Sequence, residues 1–112
     1  MERTRFARII MMKAKPGKGN EFLRRFREEV ASTAVELKGM RRLYLLRRVG
    51  RKDEFVAISL WDDEKAAEGY ARSGRNKRYA KKLARVQEGK EIVRKFRVEV
   101  HVVGRGVENE DR

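Results

Sequence analysis

The chain has 112 residues, no cysteine, one histidine and a formal net charge of +13. That length fits one domain able to bury a core without cross-links. The missing cysteines exclude disulfides, thiolate metal centres and cysteine nucleophiles, and the lone His101 excludes any site needing two imidazoles. Charged residues make up 42% of the chain. Many ion pairs with few amides is a composition of heat-adapted proteins, so a thermophilic source is expected. The positive excess predicts attraction to polyanions whatever the fold.

The N-terminal "MERTRFARIIMMKAKPG" holds an apolar run of only four residues, Ile9 to Met12. It is too short, and too charged on both sides, for a signal peptide or membrane span. A soluble, cytoplasmic protein is expected. Phe6 to Lys13 reads as a strand with apolar residues on both parities, so both of its faces should be covered. "KPGKGN" breaks it, with Asn20 as the expected helix N-cap. From Glu21, Phe22, Phe26, Val30, Thr33 or Ala34 and Leu37 form one stripe of a long amphipathic helix, stopped by Gly39.

Two strands follow, Met40 to Val49 and Glu54 to Trp61, joined through "GRKDE" with Gly50 suited to positive φ. The second places Phe55, Ala57, Ser59 and Trp61 on one face and Val56, Ile58 and Leu60 on the other. Asp62 or Asp63 should cap a short helix to Arg72, interrupted by Ser73-Gly74. A second helical stretch, Arg75 to Gln87, carries Tyr79, Leu83 and Val86 inward and is ended by Gly89. Ile92 to Val103 is the last strand, with Phe96, Val98, Val100 and Val102 alternating against Lys95, Arg97, Glu99 and His101. The domain is therefore expected over 1–103. The tail "GRGVENEDR", 104–112, lacks the apolar surface to order itself.

The order β-α-β-β-α-β is that of an α+β, ferredoxin-like domain: a four-stranded antiparallel sheet with helices on one face. Strands apolar on the second face too need a cover, and a second copy of the chain supplies one, so a homodimer packed sheet to sheet is expected.

Three stretches carry a resemblance: "KPGKGNEFLRRF", "ELKGM" and "LWDDEKAAEGYARS". In order and at these gaps, the chain resembles the antibiotic biosynthesis monooxygenase (ABM) domains of the dimeric α+β barrel superfamily, over roughly residues 6 to 102. The resemblance implies a dimer with a cleft between sheet and helices in each subunit. It does not imply one reaction: some such proteins oxidise polycyclic aromatics with dioxygen and no metal or flavin, and others bind and degrade haem. The haem branch needs an axial histidine, a second tryptophan and a first-strand asparagine. Those positions fall here at Ala80, Tyr70 and near Ile10, leaving all three roles unfilled, and no cofactor or metal is expected.

The expected chemistry is substrate-assisted oxygenation of an aromatic or quinol-like molecule. The candidate catalytic residues are Asn76, Tyr70 and Arg72, and the candidate substrate-binding residues are Trp61, Tyr79 and Tyr44. Each has a structural reading beside the functional one. Trp61 is either a core aromatic or a cleft wall. Asn76, about 60° around the helix from Tyr79 and about 20° from Leu83, either caps the helix or orients a substrate oxygen. Arg72, Arg75 and Arg78 either supply a cation to an anionic group or snorkel to water. His101 is either an interfacial histidine or a base. Lys77, Lys81 and Arg85, with Arg75 nearby, line one helix face at spacing that suits either weak polyanion binding or plain solvation. A non-catalytic dimeric module holding a small aromatic ligand is the alternative to an enzyme.

Overall fold

The computed structural model describes residues 4–106. β1 (Phe6–Ala14) leads into α1 (Gly19–Arg25), which continues through a π-helical segment (Phe26–Ala31) into α2 (Ser32–Ala34). β2 (Met40–Arg47) and β3 (Glu54–Trp61) form a hairpin, α3 (Glu64–Arg72) and α4 (Arg75–Leu83) follow, and β4 (Gln87–Arg97) completes the sheet. The strands lie in the order β2-β3-β1-β4, all neighbours antiparallel. This is the α+β, ferredoxin-like layout expected from the pattern.

Facing pairs show which side chains share a face. Phe6↔Trp61, Arg8↔Ser59, Ile10↔Ala57 and Met12↔Phe55 point toward the helices. Ala7↔Leu60, Ile9↔Ile58 and Met11↔Val56 point the other way, onto a face that no element among the described residues covers. Tyr44 pairs with Ile58 and Leu46 with Val56, so both belong to that open face. Ile92 and Phe96 of β4 join it through Met11 and Ala7. Tyr44, Leu46, Ile92 and Phe96 are each close to half exposed.

The long first helix buries Phe22, Phe26, Val30 and Ala34, all four apart. In an ideal α-helix a four-residue step overshoots the turn by about 40°, so such a stripe would wander off the sheet. The π turns in the middle widen the helix and hold the stripe on one line. Asn20 does not cap this helix. Lys18 occupies the N-cap, and the Asp53 carboxylate in the β2–β3 connection accepts the amides of Gly17 (3.2 Å) and Gly19 (2.9 Å). Asn20 instead accepts a hydrogen bond from Arg47 (3.0 Å).

The last two elements differ from the expectation. α4 stops at Leu83, and a tight turn through Val86 starts β4 at Gln87, five residues before Ile92. Gly89 is thus no helix stop; at φ 69° it sits where the β1–β4 register shifts, a bulge that favours glycine. β4 ends at Arg97 because its partner β1 ends there, Phe6 facing Arg97. The last bond to the segment beyond runs from the Val98 amide to the Arg5 carbonyl (2.9 Å), and Val100, Val102 and Val103 are exposed. β2 likewise ends at Arg47, short of Val49. Of the tail expected from residue 104, residues 107–112 lie outside the described residues. Among the described residues no helix is long and apolar enough to cross a membrane.

Candidate functional site

The core is split. One cluster gathers Met12, Phe22, Phe26, Val30, Phe55, Leu83 and Val86, with Phe22 stacked on Phe55 at 4.7 Å. The other gathers Phe6, Trp61 and Ala67, with Leu37, Met40 and Tyr70 against them. Between the two, under the helices, lies a cavity of about 190 Å³. Its floor is the helix-facing side of all four strands, and its roof is the first helix, α4 and Tyr70 of α3.

Three aromatic rings form one end. Trp61, 1% exposed, lies 5.4 Å from Tyr70, and Tyr70 lies 6.4 Å from Tyr79, each pair tilted by about a third of a right angle. The Trp61 indole N–H donates to Ser59 Oγ at 2.9 Å. Tyr79 Oη lies 2.8 Å from Thr33 Oγ1, and since Thr33 donates to the Val30 carbonyl (3.2 Å), Tyr79 is the donor of that pair. Burial raises the Tyr70 phenol above its ordinary pKa, against the opposing pull of the Arg8 guanidinium, so it is a neutral group at pH 7.

Arg8 is the polar residue that residue-by-residue reading of the sequence misses. It is 7% exposed, its guanidinium carbon sits 5.3 Å from the Tyr70 ring centre, and its buried Nε has no hydrogen-bond partner. The signal was present: Arg8 shares parity with Phe6, Ile10, Met12 and Ala14, the buried side of β1.

The cavity gathers Trp61, Tyr70, Tyr79 and Asn76 from the expected set. Asn76 does not cap α4. Gly74, at φ 82°, is the N-cap, and the Asn76 side-chain Oδ1 accepts the neighbouring Lys77 amide at 2.9 Å. No bond among the described residues occupies its amide nitrogen, and the residue lines the cavity. Two expected residues are elsewhere. Tyr44 lies on the open sheet face because its register partner is Ile58, and Arg72 is exposed at the end of α3, 3.8 Å from Glu68. His101 is exposed and lines no part of the cavity.

Ile10, Tyr70 and Ala80, the positions where a haem-degrading relative would need asparagine, tryptophan and histidine, all lie on the cavity wall. Alanine has no atom to ligate iron, and no imidazole lines the cavity, so these residues do not fit a haem held through histidine. Among the described residues no cluster of three or more His, Asp or Glu side chains is placed to hold a metal ion. On α4 and just beyond it, Lys77, Lys81 and Arg85 are exposed, while Arg75 reaches Glu36 (3.6 Å) and Lys82 reaches Glu29 (3.6 Å).

A family model described as antibiotic biosynthesis monooxygenase (ABM) matches residues 5–82, well over half of the chain. The chain belongs to the ABM family. No curated protein matches it in sequence. Among solved structures it is similar to NE2512 of Nitrosomonas europaea, a protein of unknown function. The TM-score is 0.76 at 15% identity, covering 93% of this chain and 98% of that one. It is similar to SnoaB of Streptomyces nogalater, a cofactor-independent oxygenase, with TM-score 0.74 at 18% identity, covering 88% and 97%. It is also similar to the heme-degrader MhuD of Mycobacterium tuberculosis, with TM-score 0.70 at 21% identity, covering 88% and 99%. At these identities the likenesses show a shared fold, and neighbours of different chemistry carry it.

Proposed function

We propose that this ABM protein is a cofactor-independent monooxygenase acting on a small aromatic, quinol-like molecule. The observation that carries the reading is the cavity, apolar in most of its wall, closed at one end by Trp61, Tyr70 and Tyr79, and reached by few polar groups. At about 190 Å³ it is smaller than the ~300 Å³ at which drug-sized pockets begin, and suits one or two fused rings. The likeness to SnoaB supports the chemistry, and the unfilled histidine position at Ala80 argues against haem degradation.

In this reading the substrate supplies the electrons. A ring CH₂ beside a phenol loses a proton, the carbanion so formed passes electrons to dioxygen, and a peroxide forms at that carbon. Loss of the second C–H proton with cleavage of the O–O bond leaves one oxygen as a carbonyl and the other as water. Trp61 and Tyr70 hold the ring, while the Asn76 amide steadies the negative oxygen. Oxygen uptake with a panel of hydroxylated tetralones and naphthoquinols, two-ring molecules that the cavity can hold, tests it. Asn76→Ala should lower turnover about tenfold or more, and Trp61→Phe should change it. No uptake above the blank across the panel, or turnover that neither substitution alters, removes the enzyme.

One observation favours a non-catalytic ligand-binding module instead: the phenol inside the cavity, Tyr70, is held protonated and cannot serve as a base at neutral pH. Saturable binding without uptake would select that reading.

The open sheet face supports a homodimer. Ile9, Met11, Tyr44, Val56, Ile58, Leu60, Ile92 and Phe96 make a largely apolar surface over all four strands, interrupted by Arg94 facing Ile9 and Arg42 facing Leu60, and a second copy packed sheet to sheet would cover it. The free cations Lys77, Lys81 and Arg85 give at most weak polyanion binding, with retention on DNA lost by ~0.2 M salt.

A further inference from the structure

A guanidinium is seldom enclosed without a carboxylate beside it, because removing a charge from water is costly unless an opposite charge replaces the solvent. Arg8 is enclosed in this way. It is 7% exposed, no ion pair joins it to an acidic side chain among the described residues, and its buried Nε is unpartnered. The one carboxylate on the cavity wall, Glu91, is exposed and accepts from the Gln87 amide at 3.1 Å. Across β4 the residue facing Arg8 is Lys95, another cation. Tyr70 meets the guanidinium with its ring face at 5.3 Å and with its phenol oxygen, neutral contacts that orient the group and leave its charge without a carboxylate. Facing it on β3, Ser59 Oγ already accepts the Trp61 indole proton, so its own hydroxyl proton is available to donate.

We infer that the molecule bound in this cavity carries an anionic group, a carboxylate or phenolate on a one- or two-ring aromatic, and that Arg8 pairs with it, with the Ser59 hydroxyl as second donor. This deepens the substrate reading and rests on it. The planar donor edge of a guanidinium matches a carboxylate, or a phenolate with a neighbouring oxygen, through paired hydrogen bonds. In a wall of apolar side chains such a pair discriminates strongly against a neutral ligand, which would leave the charge unanswered.

Calorimetric titration at pH 7 with 1-hydroxy-2-naphthoate and with its neutral carboxamide tests the inference. The acid should bind the wild type at least tenfold more tightly than the amide. Arg8→Met should weaken acid binding tenfold or more, leave the amide within about twofold, and keep or raise the thermal midpoint, since an uncompensated charge has left the interior. Arg8→Lys, which keeps a charge but loses the planar fork, should fall between, and it serves if the methionine variant does not fold. Equal affinity of wild type for acid and amide overturns the inference. So does failure of the acid to bind, or an Arg8 variant that loses both ligands together with stability, the mark of a merely structural arginine. Acid-selective binding without oxygen uptake would remove the oxygenase and leave the anion site standing. Uptake with neutral quinols and no preference for the acid would do the reverse.

Discussion

Tyr70 touches most of what defines the cavity: the Trp61 ring on one side, Tyr79 on another and the Arg8 guanidinium over its face. Burial raises its phenol pKa above the ordinary value of 10.0. The unfolded chain therefore gives up this proton at lower pH than the folded one, and in alkali the folded state holds more protons. Stability from this group is complete below the unfolded pKa and is lost as pH rises through the folded one. Urea midpoints of the wild type should fall as pH rises past about 10, and Tyr70→Phe should flatten part of that slope. Equal slopes would show that the phenol is not desolvated. At this scale Trp61, Tyr70 and Tyr79 were legible in the sequence, because large rings on an inward strand or helix face rarely stay exposed, whereas Tyr44 was misplaced. Arg8 and Ser59 were not singled out as site residues. Each looks like an ordinary polar residue until its strand parity is set against that of its neighbours. Only the Arg8↔Ser59 register puts the two side by side.

Among the elements, α3 behaves as its sequence demands. Asp63 is its N-cap with extended backbone, and its carboxylate accepts the Ala66 amide at 2.9 Å. Asp63→Ala should cost about 1 kcal/mol in urea unfolding, the usual worth of such a cap. A loss below a few tenths would mean that packing of Ala67 and Tyr70 holds the helix by itself. The first helix could not be read so simply. Its cap comes from Asp53, thirty-four residues beyond Gly19, and the approach is so close that a Cβ on Gly19 would lie within 2.3 Å of the Lys52 carbonyl oxygen. Local propensity favoured Asn20, but a carboxylate delivered by the hairpin reached the free amides first. The same tertiary influence explains β4. Alternation continues to Val103, yet alternation alone makes no ladder, and pairing stops where β1 stops.

Over the whole molecule the sheet has one face under helices and one largely apolar face that no element among the described residues covers. If two copies meet there, Ile58→Lys, at the middle of the central β3, should convert dimer to monomer at micromolar concentration without loss of the fold. Sedimentation equilibrium and circular dichroism together read this. A wild type that sediments as a monomer, or a variant that stays dimeric, would reject sheet-to-sheet pairing. The sequence by itself determined the number and order of the strands, the helix side of the sheet and the second apolar side, because period and parity are properties of the chain alone. It also placed Trp61, Tyr70, Tyr79 and Asn76 near one another through the strand-to-helix joint at Asp62-Asp63. Only the tertiary structure decided that Tyr44 faces away from the cavity, that Arg72 stays in water, and that Arg8 is shut in without a carboxylate. Those outcomes depend on register between strands distant in sequence and on where two core clusters fail to meet, and neither is set within a local stretch of chain.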